Sequence, residues 1–87
     1  MDKKEILITL RKLLNQKFGI DNTKLEEKND EIPLLSEFWG LSPLDLVYFI
    51  LEIEKVYGVK LTTDDLINYG CDRISRIADK VQKATHN

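Results

Sequence analysis

The sequence predicts an all-α fold, a four-helix bundle of three longer helices and one short one. Three observations carry that reading. Apolar residues recur at helical spacing in three separate stretches, glycines stand where those stretches stop, and no segment alternates apolar and polar residues as a half-buried strand would.

The first helix is predicted over 2–18. Asp2 and Glu5 have capping-box spacing, with aspartate in place of the usual serine or threonine. Ile6, Leu10, Leu13, Leu14 and Lys17 then follow the helical period, and Gly19 stands where a left-handed C-cap belongs. Residues 20–40 show no sustained period. They hold Asn22, Asn29, Asp30 and Pro33, but also Ile20, Leu25, Ile32, Leu34, Leu35, Phe38 and Trp39, too many apolar side chains for a disordered segment. The expectation is an ordered, irregular loop that plugs one end of the bundle, with a short helical turn near Leu35–Trp39.

The second helix is predicted over 43–57. Ser42 is a good N-cap and Pro43 a good first residue, because proline's missing N–H would be unpaired there anyway. Leu44, Val47, Ile50, Leu51, Ile53 and Tyr57 form its expected apolar face, and Gly58 ends it. Thr62 and Asp65 repeat the capping spacing and open a short helix over 63–69, which Gly70 breaks. Asp72 is placed to cap the last helix, predicted over 73–84, where Ile74, Ile77, Ala78, Val81 and Ala84 repeat. The expected core includes Leu10, Val47, Ile50, Ile53, Ile77 and Val81.

Eighty-seven residues suffice for one domain, 1–87, with a modest core. No apolar run is long enough to span a membrane, and the start lacks the order of a signal peptide. The single cysteine, Cys71, rules out an internal disulfide framework and fits a reducing compartment, so a cytoplasmic monomer is expected. The net charge is −2, unevenly spread: +3 over residues 1–20, −7 over 21–65 and +2 over 66–87. The acidic middle would steer a basic partner and argues against general nucleic-acid binding.

Gly40-Leu41-Ser42-Pro43-Leu44-Asp45, continued through Glu54 to Val56-Tyr57-Gly58-Val59-Lys60-Leu61, resembles the central segment of acyl carrier proteins. In that family a glycine leads into Asp-Ser-Leu, an acidic residue and an amphipathic helix. That helix closes on an aromatic residue, a short turn and an aliphatic one. Gly40, Leu44, Asp45, Tyr57 and Leu61 fall on these positions without a gap, and the element order along the chain is the family's. The resemblance implies an acyl-carrier-protein-like bundle whose second helix is the main recognition surface.

The chain departs from the family pattern where the family carries its cofactor. Ser42 occupies the aspartate position and Pro43 that of the serine modified by 4'-phosphopantetheine. Proline has no hydroxyl, so no cofactor is expected at Pro43. Ser42 lies one residue early, about 3.8 Å along the backbone, and serves as a cap with non-acidic Leu41 before it. It remains only a fallback attachment site.

Nothing else assembles a chemistry. The four glycines punctuate helices, and His86 and Cys71 are too far apart in sequence to start a metal-ligand cluster. Glu26, Glu27, Asp30 and Glu31 lack EF-hand spacing and read as a solvated acidic loop. Arg73, Arg76, Lys80 and Lys83 form a basic stripe on the last helix. No base–nucleophile pair can be built, so the chain is not expected to be an enzyme.

The resemblance together with its departure at Pro43 leads to the expectation of an acyl-carrier-related interaction module that docks on a biosynthetic or peptide-modifying enzyme without a covalent arm, with Trp39, Leu41, Asp45, Tyr48 and Glu52 as its expected partner-binding residues. The alternatives are a working acyl or peptidyl carrier with 4'-phosphopantetheine on Ser42, and an unrelated helical adaptor or nucleic-acid-binding domain.

Overall fold

The structure, a computed structural model, describes residues 2–61 and 71–85. Among the described residues it contains three α-helices and no strand: α1 (Lys3–Phe18), α2 (Pro43–Tyr57) and α3 (Ile74–Thr85). The short helix expected over 63–69 lies outside the described residues, as does His86. α1 packs mainly against α3 and less extensively against α2.

α1 forms as its sequence dictates. The Asp2 carboxylate accepts the Glu5 N–H at 2.9 Å. At the other end Gly19 adopts a left-handed conformation, φ 68°, and its N–H reaches back to the Asn15 carbonyl. A β-carbon would be strained there. Ile6, Leu10, Leu13 and Leu14 are buried, the stripe that the period marks. α3 is equally one-sided, burying Ile74, Ile77, Ala78 and Val81 against α1.

α2 turns a different face inward from the one expected. Leu46, Phe49, Ile50 and Ile53 are buried, whereas Val47 is 41% exposed and Leu44 and Leu51 are more exposed still. Val47 is therefore not a core residue. The physical reason is that α2 is apolar on nearly every side, so the sequence leaves open which stripe faces the bundle. Residues 46, 49, 50 and 53 make an i, i+3, i+4, i+7 set, and it wins because it contains Phe49. That ring is fully buried and meets Phe18 edge-on at 5.8 Å between centroids.

The long connection between α1 and α2 is ordered but not simply irregular. Two short 3-10 helices occupy Asn22–Lys24 and Glu27–Glu31, and the stretch from Leu35 to Trp39 makes turns instead of the expected helical one. Asp21 starts the first, accepting both the N–H and the hydroxyl of Thr23 at 2.8 Å. Those two bonds hold the Asp21 carboxyl below its ordinary value. Ile20, Leu34 and Trp39 point inward and plug the end of the bundle. The Leu34 N–H donates to the Asp72 carbonyl at 2.7 Å, which ties the connection to the segment before α3.

Two acidic residues behave differently from their sequence reading. Asp30 is not part of a solvated acidic loop. Only 4% exposed, it forms a two-pronged ion pair with Arg11 of α1: Nε donates to Oδ1 at 3.0 Å and Nη2 to Oδ2. This bond raises the Arg11 pKa above its already high ordinary value. Asp72, for its part, lies two residues ahead of α3, which begins at Ile74 and not at residue 73. Its carboxylate accepts from the side chains of Arg73 and Arg76.

The inward face of α2 can be checked by truncation. Ile50→Ala should destabilise the protein by about 2–5 kcal/mol, while Val47→Ala should cost less than about 1 kcal/mol, both read from urea unfolding. Removing one partner of the Arg11–Asp30 pair should also be severe. Asp30→Asn or Arg11→Met alone should lose about 3 kcal/mol, and the double replacement Arg11→Met/Asp30→Leu should recover much of it, because no buried charge is then left alone. A double-mutant cycle showing additive losses would contradict that account.

Candidate functional site at the start of the second helix

The residues that the sequence singles out meet where α2 begins. Ser42 is extended, φ −84° and ψ 163°, and it is the N-cap. Its Oγ accepts the Asp45 N–H at 3.1 Å, and its own N–H donates to Asp45 Oδ2 at 3.0 Å. This is a reciprocal capping box, with aspartate replacing the more usual glutamate at the third helical position. Pro43 is the first helical residue, where its locked φ suits the helix and its missing N–H costs nothing. Just before the cap, Gly40 turns the chain with φ 68°.

Beside this helix start lies an open cleft of about 510 Å³, between the end of α1 and the chain entering α2. Lys17, Asp21, Lys24, Leu41 and Asp45 line it, so its chemistry is mixed in charge. Lys24 crosses the entering chain: its Nζ donates to the Phe38 carbonyl at 2.8 Å and lies 5.4 Å from the centre of the Phe38 ring. The sequence reading named Lys17 only as part of the helical period and did not include Lys24. Helical periodicity cannot report a side chain that works at a helix end or across a loop.

The five residues expected at a partner interface fare unequally. Trp39 is 2% exposed, donates its indole N–H to the Ile32 carbonyl at 3.1 Å and packs edge-on against Phe38. It is a core plug and offers no side chain to a partner, because the loop carrying it must cover the end of the bundle. Leu41 is partly buried against the core. Asp45 is engaged in the capping box, and Glu52 lies 3.9 Å from Lys55. Tyr48 is 53% exposed.

Around Tyr48 the structure reveals what periodicity assigned to the core. Leu44, Val47, Tyr48 and Leu51 are all substantially exposed and sit at i, i+3, i+4 and i+7, one continuous apolar stripe along α2. A shallow depression of about 450 Å³ adjoins it, lined by Phe18, Tyr48, Leu51, Glu52 and Lys55 among others. On α3 the basic stripe is partly neutralised, since Arg73 pairs with Asp72 and lies 3.9 Å from Glu31, and Arg76 pairs with Asp72.

The capped helix start at Ser42 and Pro43 thus follows a long connection plugged by Ile20, Leu34 and Trp39. A family model described as a phosphopantetheine attachment site matches residues 9–81. This chain belongs to the acyl carrier protein family. Within it, the acyl carrier protein of Thermotoga maritima is 29% identical over 79 residues, which cover 91% of this chain and 86% of that one. Membership sets aside the reading of an unrelated helical domain and supports a carrier-like, non-catalytic role. Among the described residues no helix is long and apolar enough to cross a membrane.

The family's cofactor can be tested against the residues present. A phosphopantetheine ester needs a hydroxyl oxygen, and Pro43 has none. Ser42 has one, but it accepts the Asp45 N–H, and an ester oxygen in its place would be a weaker acceptor beside the Asp45 carboxylate. The helix start therefore offers no hydroxyl that is free of a structural task. That task is measurable. Ser42→Ala should cost about 1 kcal/mol of stability and Asp45→Ala a similar amount, with the double change costing less than the sum because the two bonds form one box. Chemical denaturation of the three variants reads this directly.

Proposed function

We propose that this protein is an acyl-carrier-fold recognition module that docks through α2 on an enzyme of a biosynthetic or peptide-modifying pathway, without a covalent phosphopantetheine arm. The observation that carries the reading is Pro43 as the first residue of α2, followed by Leu44 and Asp45 as in the family's motif. A proline ring stands where the resemblance puts the modified serine, and Ser42 is committed to holding the helix start. The docking part of the proposal rests on the stripe of Leu44, Val47, Tyr48 and Leu51, which a monomer gains nothing by exposing. The protein would act as a cytoplasmic monomer of one domain, without nucleic acid or membrane.

A second reading is supported by a specific observation. Ser42 is exposed, and a phosphodiester there would lie at the positive end of the α2 dipole, within a family described by its phosphopantetheine attachment site. On that reading the protein is a working carrier loaded one residue earlier than its relatives.

Intact-mass spectrometry separates the two. Incubated with coenzyme A and a broad-specificity phosphopantetheinyl transferase, the natural protein should keep its mass. The Ser42→Asp/Pro43→Ser variant, which restores Asp-Ser-Leu, should gain one phosphopantetheine. A gain by the natural protein that disappears in Ser42→Ala would establish the working carrier instead. Docking has its own check: Leu44→Ser together with Leu51→Ser should weaken a partner enzyme recovered by pull-down at least about tenfold while leaving the circular dichroism unchanged.

A further inference from the structure

A second surface lies on α1, away from the residues just discussed. Two depressions run along its outer side beneath the segment that starts the long connection. One, of about 390 Å³, is lined by Lys3, Lys4, Leu7, Ile8, Arg11 and Glu27. The other, of about 210 Å³, is lined by residues that include Lys12, Asn22 and Leu25. Ile8 and Arg11 belong to both, so the two form one groove.

The groove has a definite chemical pattern. Lys4, Ile8 and Lys12 follow one another at i, i+4 and i+8, a single line along the helix about 12 Å long. Ile8 is 46% exposed, an apolar side chain in the most basic part of the chain. The cations beside it divide into two kinds. Lys3 pairs with Asp79 at 2.9 Å and Arg11 with Asp30, so both have structural partners. Lys4 and Lys12 are exposed and take part in no ion pair among the described residues. Glu27, the carboxylate in the wall, acts on Arg11.

We infer that this groove binds an acidic amphipathic helix of a partner protein, one that presents an apolar side chain between two carboxylates about 12 Å apart. The charge pattern selects the sign of the partner, since the two cations without ion pairs flank the exposed isoleucine. The shape selects the class. A concave groove whose one exposed apolar residue is Ile8, with half-buried Leu7 and Leu25 in its walls, suits a side chain inserted between charges, whereas a lipid surface would meet one exposed isoleucine and the Glu27 carboxylate. The inference does not depend on α2, and it holds whether or not Ser42 is modified.

The test uses the whole protein, labelled with nitrogen-15, and an end-blocked helical peptide carrying Glu-x-x-x-Leu-x-x-x-Glu. Titration should give saturable amide shifts at Lys4, Ile8, Lys12 and Leu25. Binding should fall at least about tenfold in Lys4→Glu/Lys12→Glu and in Ile8→Ser, and it should be unchanged in Leu44→Ser. All these positions are on the surface, and circular dichroism verifies that each variant is folded. The same peptide with lysine in place of glutamate should not bind. The inference is overturned if millimolar peptide produces no saturable shift at those amides, if the shifts fall on α2, or if phosphatidylglycerol vesicles retain the protein and the peptide does not.

Discussion

The ion pair between Arg11 and Asp30 sets the terms for the rest of the molecule. It joins the middle of α1 to a connection that has no regular helix longer than five residues. Without such an anchor, a connection of that length would lose too much conformational entropy on ordering. With it, Asn29 can bond the Lys24 carbonyl, Trp39 can reach the Ile32 carbonyl, and Leu34 can meet the segment before α3. Each of these bonds positions the next stretch of chain, and the last stretch delivers Gly40, Ser42 and Pro43 to the start of α2. The presentation of the candidate site thus traces back to a charge pair whose nearer member, Asp30, precedes Ser42 by 12 residues.

How much of this could be read from the sequence depended on how one-sided each element is. α1 and α3 have one apolar stripe each, so their boundaries and buried residues followed from the period to within a residue. The cap at Ser42 and the stop at Gly58 were equally legible, because capping is local chemistry between neighbours. α2 resisted. Its apolar residues surround the axis, and choosing Phe49 over Val47 as the inward one requires knowing where Phe18 lies. Trp39 was ambiguous for a related reason, since an indole beside a phenyl ring serves equally as core or as anchor until its N–H is seen to be paired inside. The Arg11–Asp30 pair left no local trace, because nothing in either neighbourhood points to a partner nineteen residues away.

The same reasoning explains why the two exposed faces differ. On α2 the acidic side chains are engaged: Asp45 caps, Glu54 accepts the Leu61 N–H at 2.7 Å, and Glu52 lies near Lys55. Apart from Lys55, the large side chains that remain exposed there are apolar. On α1 the reverse holds, and basic side chains without ion pairs surround one apolar residue. Net charge over a segment describes neither face well, because it counts groups that the fold has already neutralised. The −7 of residues 21–65 includes Asp30, which is buried against Arg11.

Pro43 has an effect that no contact in the folded structure displays. A proline at the first helical position narrows the backbone freedom of the unfolded chain while leaving the folded chain unstrained, a gain of about 0.4–1 kcal/mol relative to a flexible residue there. A serine at that position would have to give up this stiffness in order to carry a hydroxyl. Rigidity of the helix start and a chemical handle on it are thus alternatives at a single backbone position, and this chain holds the rigid one.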